Sequence, residues 1–564
     1  MARSSSQNSG SQNDALKNLR PSPQTPQNLL ANARGALQNA LATLPGERPE
    51  YLVVELSGSY PARKQKRKFF PPQLGAQETS LEAFSEQIEA LARANWLKGV
   101  VFRLNDLSVN LTTARSLREE VVKLKRAGKH VTVYAPQLDL PSYDLATAAD
   151  EVVMPEGGEL FVLGLAVQIT FMRDALARFG VSFDKLAIDE YKNAGDTFAR
   201  QEMSDAQREQ YGALLDSLEA TFLNDVAEAR GVTPGRVQGW IDEGVSSPQH
   251  ALELGMIDRV AYEDEVLGKA HKPLRAGARF LTKKLRPLNT KRVAVVSLSG
   301  VIVPGKSRRT PFPLPLIGSL QAGSETLLRA FRAAAADEST AAIVFLVDSG
   351  GGSALASDLI WREVTRVRRD KPIVAVMGSV AASGGYYVLT HADHVIAAPT
   401  TVTGSIGVLT SKFVFEDFNA RYGFNPQALS RGRYILAFNS ARSFDDEERA
   451  LVQRFIGEVY ERFTDRVAEG RNLSKARVNE IGRGHIWSGK DALDIGLVDE
   501  LGGVALGIQR AKEIAGLHAD APTWNVDAPA KMLLPTQEDP STLLRALAPL
   551  GREKALLLEP AHLV

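Results

Sequence analysis

The sequence predicts an α/β protein made of two tandem repeats, each a parallel sheet flanked by helices, and three observations carry that prediction. The halves repeat one another. Val226-Ala227-Glu228-Ala229-Arg230 recurs as Val467-Ala468-Glu469-Gly470-Arg471, and Ala251-Leu252-Glu253-Leu254-Gly255 as Ala492-Leu493-Asp494-Ile495-Gly496, both 241 positions on; Ala149-Asp150 and Gly164 recur as Ala392-Asp393 and Gly407 at 243. A two-residue slip is an ordinary loop difference. At 564 residues the chain exceeds the ~250–300 residues that one core supports. Short β-branched runs also alternate with helical patterns, as strands of a parallel sheet covered on both faces do.

The elements follow in chain order. Met1 to Asn28 is rich in Ser, Gln, Asn and Pro and buries too little apolar surface to offset its ordering entropy. Leucines and alanines at helical spacing from Leu29 to Leu44 predict an amphipathic helix, so residues 1–45 form a tail and helix. The first repeat, 46–275, carries strands at Tyr51–Leu56, Gly99–Leu104, His130–Ala135 and Glu151–Met154 and a long helical region from Ser204 to Arg230. A polar, basic stretch supplies a linker at 276–291. The second repeat, 292–517, carries strands at Arg292–Leu298, Ala341–Val347, Pro372–Met377 and His394–Ala397 and a helical region from Asp445 to Arg471. The remainder, 518–564, is rich in Pro, Ala and Leu and reads as a loosely packed arm.

Composition excludes several classes of function. Lys+Arg of 67 against Asp+Glu of 66 leaves a net charge of +1, which provides no global attraction for nucleic acid. The absence of cysteine removes disulfides, thiol nucleophiles and thiolate metal sites. The amino terminus has no apolar stretch behind its few charges and is no secretory signal. The most apolar run, Glu159 to Met172, contains Gln168 and falls short of the ~18 residues of a membrane span. The expected location is cytoplasmic or peripheral at the membrane. Two segments, Ala62-Arg63-Lys64-Gln65-Lys66-Arg67-Lys68-Phe69-Phe70 and the run from Gly305 to Leu316, mix cations with bulky apolar residues. They suit an anionic bilayer surface, a solvated loop or a subunit contact.

The chemistry lies where the halves differ. The strand ending at Val347 runs into Asp348-Ser349-Gly350-Gly351-Gly352-Ser353, whose counterpart at the 243 offset has no glycine. Such a loop beside a helix start aims backbone N–H groups at one spot and favours an anion there. Leu355 stands where a dinucleotide fingerprint wants glycine. After the next strand, Ala381-Ala382-Ser383-Gly384-Gly385-Tyr386 surrounds one hydroxyl with small residues, and the counterpart of Ser383 is Leu140 or Pro141. The amide of Gly384, with that of Gly351 or Gly352, would form an oxyanion hole. His391, His394 and His485 lack a triad pattern, which leaves lysine as base. Lys192, in Tyr191-Lys192-Asn193-Ala194, has Ile435 as its counterpart. A free lysine with pKa ~10.4 is protonated at neutral pH, so burial must favour its neutral form. A serine from one half and a lysine from the other imply a composite site.

Ser349-Gly350-Gly351-Gly352-Ser353, Ala382-Ser383-Gly384-Gly385-Tyr386, Thr403-Gly404-Ser405-Ile406-Gly407 and Tyr191-Lys192 together resemble the signal peptide peptidase A (protease IV) family in its long, tandem-repeat bacterial form. The resemblance spans roughly residues 50 to 515. It implies two crotonase-like (ClpP-like) domains and a Ser/Lys dyad that cleaves signal-peptide remnants or other small hydrophobic peptides. Ser383 would be the nucleophile, Lys192 the general base and Ser405 the group that orients the lysine. It also implies a homo-oligomer, and no metal or organic cofactor. The sequence departs from the family at Gly350, where proline is usual, and in lacking the transmembrane anchor with which the long form commonly starts.

Two other classes fit parts of the pattern. A crotonase-type enzyme would use the glycine amides on an acyl-CoA enolate and have no need of Ser383. A non-catalytic scaffold at the membrane would explain the basic and apolar segments without any dyad.

Overall fold

The computed structural model describes residues 24–44, 46–63, 79–268, 270–283, 285, 291–314, 318–526, 531–532 and 554–558. The first half holds a six-stranded parallel sheet in the order Arg259–Val260, Glu151–Met154, His130–Tyr134, Gly99–Leu107, Tyr51–Gly58, His271–Pro273. The second half repeats this path strand for strand: Glu500–Leu501, His394–Ala397, Ile373–Ala382, Thr340–Ser349, Arg292–Ser299, Thr523–Asn525, again all parallel. All eight strands expected from the β-branched runs are present.

These runs are continuous because both sheet faces are covered. Val100 to Phe102 and Ala342 to Val347 are buried throughout. Leu117, Val121 and Leu124 of the helix Leu111–Arg126 pack onto the first sheet with Phe222 and Val226 of Asp205–Arg230. Leu327 and Phe331 of Ser324–Ala336, Ile360 and Val364 of Ala354–Arg368, and Ile456 and Phe463 of Asp446–Arg471 do the same in the second half. The two 26-residue helices start on side-chain caps at Ser204 and Asp445 and end on left-handed residues, Gly231 and Asn472.

The halves diverge where the site will lie. In the second, Ile373–Ala382 is one ten-residue strand whose far end pairs with Val402–Gly404, itself antiparallel to Ile486–Ser488. In the first, Pro136 interrupts the equivalent ladder, since proline has no N–H to donate. His130–Tyr134 stops there, and Gln137–Asp139 pairs with Glu159–Phe161 as a separate small sheet.

A third sheet joins the halves, in the order Lys531–Met532, Arg308–Leu314, Gly318–Gly323, Val301–Val303, Gly351–Ser353, Leu556–Leu558, Leu409–Val414, Ser182–Ala187. Three expectations change here. The arm after residue 517 is not loosely packed where described: Thr523–Asn525 edges the second sheet, and Lys531–Met532 and Leu556–Leu558 are strands of the third. The basic and apolar run after Gly305 is strand from Arg308 to Leu314, antiparallel to Gly318–Gly323, with Arg308, Arg309 and Leu314 opposite Gln321, Leu320 and Gly318; residues 315–316 of that run and 64–70 of the other lie outside the described residues. The stretch expected as a linker begins as packed chain, with Phe280 and Leu281 buried and the Leu281 carbonyl accepting from Gln38 Nε2 at 3.2 Å on the helix Gln24–Ala42. Among the described residues no helix is long and apolar enough to cross a membrane.

Candidate active site

Ser383 follows the last residue of Ile373–Ala382 and precedes the short helix Gly384–Tyr387. Its backbone is held at φ 54, ψ −119, a region that a residue with a side chain occupies only when its surroundings impose it. Here the imposition is visible: Ser383 N–H donates to the Gly404 carbonyl at 2.8 Å, and Tyr387 N–H donates to the Ser383 carbonyl at 2.8 Å. A side chain on Gly385 would come within 2.2 Å of the Ser349 carbonyl, so the helix start packs directly on the glycine loop. Ser405, at φ 50, follows the neighbouring strand Val402–Gly404 and donates its N–H to the His485 carbonyl at 2.7 Å.

Lys192 arrives from the first half. The strand Ser182–Ala187 is antiparallel to Leu409–Val414 of the second half, from Leu409 opposite Ala187 to Val414 opposite Ser182, and Ile188 N–H continues the ladder to the Val408 carbonyl at 2.9 Å. The turn that follows is tied on three sides. Lys185 Nζ donates to the Lys192 carbonyl at 2.7 Å and pairs with Asp196. Asn193 Nδ2 donates to Asp196 Oδ2 at 3.0 Å. Gln210 donates to the Tyr191 carbonyl at 3.1 Å and to Asn193 Oδ1, while its own Oε1 accepts Ile486 N–H at 3.2 Å. The lysine stem is walled by two glycines: a Cβ on Gly484 would lie 2.5 Å from Lys192 N, and one on Gly407 would lie 3.1 Å from Lys192 Cδ.

These constraints bring together three side chains from distant parts of the chain. Lys192 Nζ is 2.9 Å from Ser383 Oγ, 2.7 Å from Ser405 Oγ and 3.3 Å from the Ser405 carbonyl. Lys192 is 1% exposed, and both serines are 0% exposed. Burial of an amine among hydroxyl and carbonyl groups penalises its charged form.

The two glycines named for the oxyanion hole are held differently. Gly351 N–H is donated to Ser349 Oγ at 3.0 Å, and that hydroxyl donates to the Gly300 carbonyl at 2.7 Å. The Gly351 amide is therefore engaged inside its own loop. Gly352 sits at φ +153, where a Cβ would stand 2.1 Å from the Ile302 carbonyl, and only glycine fits. Ser353 then caps the helix Ala354–Arg368, accepting from Ala356 N–H at 3.1 Å, so a helix N-terminus, favourable to negative charge, opens beside the loop.

The histidines have other partners. His391 Nδ1 accepts from Trp361 Nε1 at 3.0 Å, and His394 Nε2 is 2.9 Å from Glu500. His485 donates from Nδ1 to the Ile486 carbonyl at 2.8 Å and stacks on Trp487; burial holds its pKa below the usual value. Among the described residues no cluster of acidic and histidine side chains could hold a metal ion.

Sequence reasoning missed Gln210 and the Lys185–Asp196 pair. A signal for Gln210 existed: its counterpart 241 positions on is Leu451, and a polar residue replacing an apolar one on a packed helix face marks a local demand for hydrogen bonds.

Fold and site together are those of a serine peptidase. The family model for peptidase family S49 matches residues 123–276 and 365–518, and the chain belongs to that family. It is 31% identical over 451 residues to the "Serine protease SPPA, chloroplastic" of Arabidopsis thaliana, covering 78% of this chain and 66% of that protein. The "Protease 4" proteins of Haemophilus influenzae and Salmonella typhi are 28% and 27% identical, covering 75% and 80% of this chain and 71% and 74% of their own lengths. The aligned segment thus spans about two thirds to three quarters of each relative.

Proposed function

We propose that this chain is an endopeptidase in which a Ser/Lys dyad, one residue from each half, hydrolyses extended hydrophobic peptides, signal-peptide remnants among them. The observation that carries the reading is the buried Lys192 amine within hydrogen-bond distance of both Ser383 Oγ and Ser405 Oγ. Neutral Lys192 takes the Ser383 proton as Oγ attacks the scissile carbonyl, and the amides of Gly352 and Gly384 receive the oxyanion. The ammonium then protonates the leaving amine. Water attacks the acyl-enzyme, losing its proton to Lys192, and Ser383 is released with its proton restored. Ser405 accepts from or donates to Nζ throughout and holds it on line.

A homo-oligomer and peripheral membrane contact belong to the same reading. Exposed Phe415, Phe424, Leu429 and Ile435 favour a surface covered by a second copy, and sedimentation at several concentrations tests it. The cations and apolar residues of the strand Arg308–Leu314 favour an anionic bilayer; flotation with and without anionic lipid tests that.

The dyad is tested by intact-mass analysis after a fluorophosphonate or peptide aldehyde, on wild type, Ser383→Ala and Lys192→Ala. One adduct at Ser383, lost in both variants, is expected. An adduct that survives in either variant overturns the dyad.

A further inference from the structure

Two charged side chains stand behind the lysine and have no part in the chemistry above. Lys185 and Asp196 form an ion pair whose side chains are only 11% and 8% exposed. Its cationic end is bonded to the backbone of Lys192 itself, where Lys185 Nζ donates to the Lys192 carbonyl at 2.7 Å. Its anionic end holds the next residue: Asp196 Oδ2 accepts from Asn193 Nδ2 at 3.0 Å, and Asp196 N–H donates to the Asn193 carbonyl at 2.9 Å.

Stability alone does not account for a buried ion pair, because desolvation offsets most of the attraction and an apolar pair of the same volume holds a fold as well. The repeat supplies a comparison within one chain. At the 243 offset that relates Lys192 to Ile435, Lys185 faces Ala428 and Asp196 faces Asn439. The half without the lysine has neither charge, so the three residues are present together and absent together.

The other charges around this turn are more open to water. Asp189 and Glu190 meet Arg483 of the second half at 3.4 and 3.2 Å, with side chains 36%, 58% and 44% exposed. Glu209 accepts from the Tyr191 hydroxyl at 3.1 Å, and His485 lies against the Tyr191 ring with centres 4.7 Å apart. Further along the strand, Asp184 is paired with Arg449 at 2.7 Å and stands opposite Lys412. Salt screens the exposed pairs and leaves a buried one nearly untouched.

We propose that the Lys185–Asp196 pair positions Lys192 and sets the charge state of its amine: Lys185 fixes the backbone from which the amine extends, and the two opposite charges balance one another's field at Nζ. Lys185 alone disfavours a second cation beside it, and Asp196 alone favours one. Over about the length of one lysine side chain, at an effective dielectric constant of ~20, a lone unit charge moves an ionisation by about 1 pH unit. The intact pair cancels the two effects and keeps the anchor. The proposal rests on the reading above in taking Lys192 as the base.

The test compares the full chain with Lys185→Met, Asp196→Asn and the double variant. The Lys192 amine is titrated directly by NMR of protein carrying 15N-lysine, its signal assigned with Lys192→Met, and kcat/KM for a fluorogenic peptide is measured across the same pH range. Lys185→Met leaves the Asp196 carboxylate alone and should move both midpoints up by about 1 pH unit; Asp196→Asn leaves the Lys185 cation alone and should move them down by about 1. The double variant should return to the wild-type midpoint with kcat still lowered about 10-fold and KM unchanged, because the bond to the Lys192 carbonyl is missing. Midpoints in the two single variants that stay put, or move in the same direction, overturn the proposal, since a purely structural pair would lower kcat or the melting temperature with the profile unmoved. Opposite shifts in the amine titration with no cleavage by any of these proteins would sink the dyad and leave the action of the pair standing. If one single variant fails to fold, the other, set against the double variant that buries neither charge, still has one signed shift to meet or miss.

Discussion

Lys192 Nζ stands 2.9 Å from Ser383 Oγ although 191 positions separate them, and the contact exists because Ser182–Ala187 of the first half is paired to Leu409–Val414 of the second. Neither half alone contains both groups. Lys192→Met should therefore lower kcat/KM by at least ~10³-fold, the scale on which a base and its nucleophile act as a unit. Its melting temperature should equal or exceed that of wild type, since replacing a buried amine by an isosteric apolar chain removes a desolvation cost. Lys192→Arg should be as inactive, because a guanidinium stays protonated. Calorimetry beside peptide kinetics checks both; activity above a tenth of wild type in either variant contradicts the role of the lysine.

The pH profile should report the same amine. Its burial favours the neutral form, so kcat/KM is expected to rise with pH through an ionisation below the ~10.4 of a free lysine. In the proposed mechanism Ser405 Oγ, 2.7 Å from Nζ, orients that amine. Ser405→Ala should lower kcat about 10–100-fold, corresponding to loss of one hydrogen bond of ~1–3 kcal/mol. It should also move the pH profile while leaving KM nearly unchanged. An unaltered profile with reduced activity would mean that Ser405 only supports the fold.

Much of this was legible in the sequence, and for stated reasons. The repeats could be read because both halves keep the same continuous apolar strands, which parallel sheets demand of any sequence. Ser383 and the glycine loop stood out because small residues cluster there in one half only. Lys192 was visible by its unequal counterpart, Ile435. What could not be read is anything set by long-range pairing. The engagement of the Gly351 amide inside its own loop depends on where the Ser349 hydroxyl points, and the seating of Leu556–Leu558 joins residues some 200 positions apart with no local pattern beyond three leucines.

Glu500 offers a stability test away from the site. Hydrogen bonds from Arg510, and secondarily from His394, hold its pKa down to about 2 from a usual 4.5, with Arg510 Nη2 at 2.6 Å. A carboxylate with a lowered folded-state pKa stabilises the fold above its unfolded value and loses that contribution as pH falls through the folded one. Glu500→Gln should thus cost a little at pH 7, under ~1 kcal/mol because the pair is largely solvated. The difference should shrink below pH 4.5 and vanish near 2. Urea melts across that range check it; a difference independent of pH would show that the carboxylate's charge is not what matters.

Gln210 tests the joint between the halves. Its amide donates to the Tyr191 carbonyl and to Asn193 on the lysine turn, and its oxygen accepts Ile486 N–H from the second half, all within a residue that is 1% exposed. Gln210→Leu installs the side chain that the repeat carries at Leu451, yet it leaves the Ile486 amide and the Tyr191 carbonyl without this partner, at a cost of ~1–3 kcal/mol. The larger effect should be on rate. With the turn untied from Ile486–Ser488, Lys192 Nζ can drift relative to Ser383, and a displacement on the order of 1 Å costs about 10²-fold. Gln210→Glu keeps the acceptor for Ile486 and loses the donor to the turn, so it should fall between wild type and Gln210→Leu. The expected signature is a drop in kcat with KM nearly constant at a temperature where all three proteins are fully folded. Equal kcat in the three would mean that the strand pairing of Ser182–Ala187 with Leu409–Val414 positions the lysine unaided.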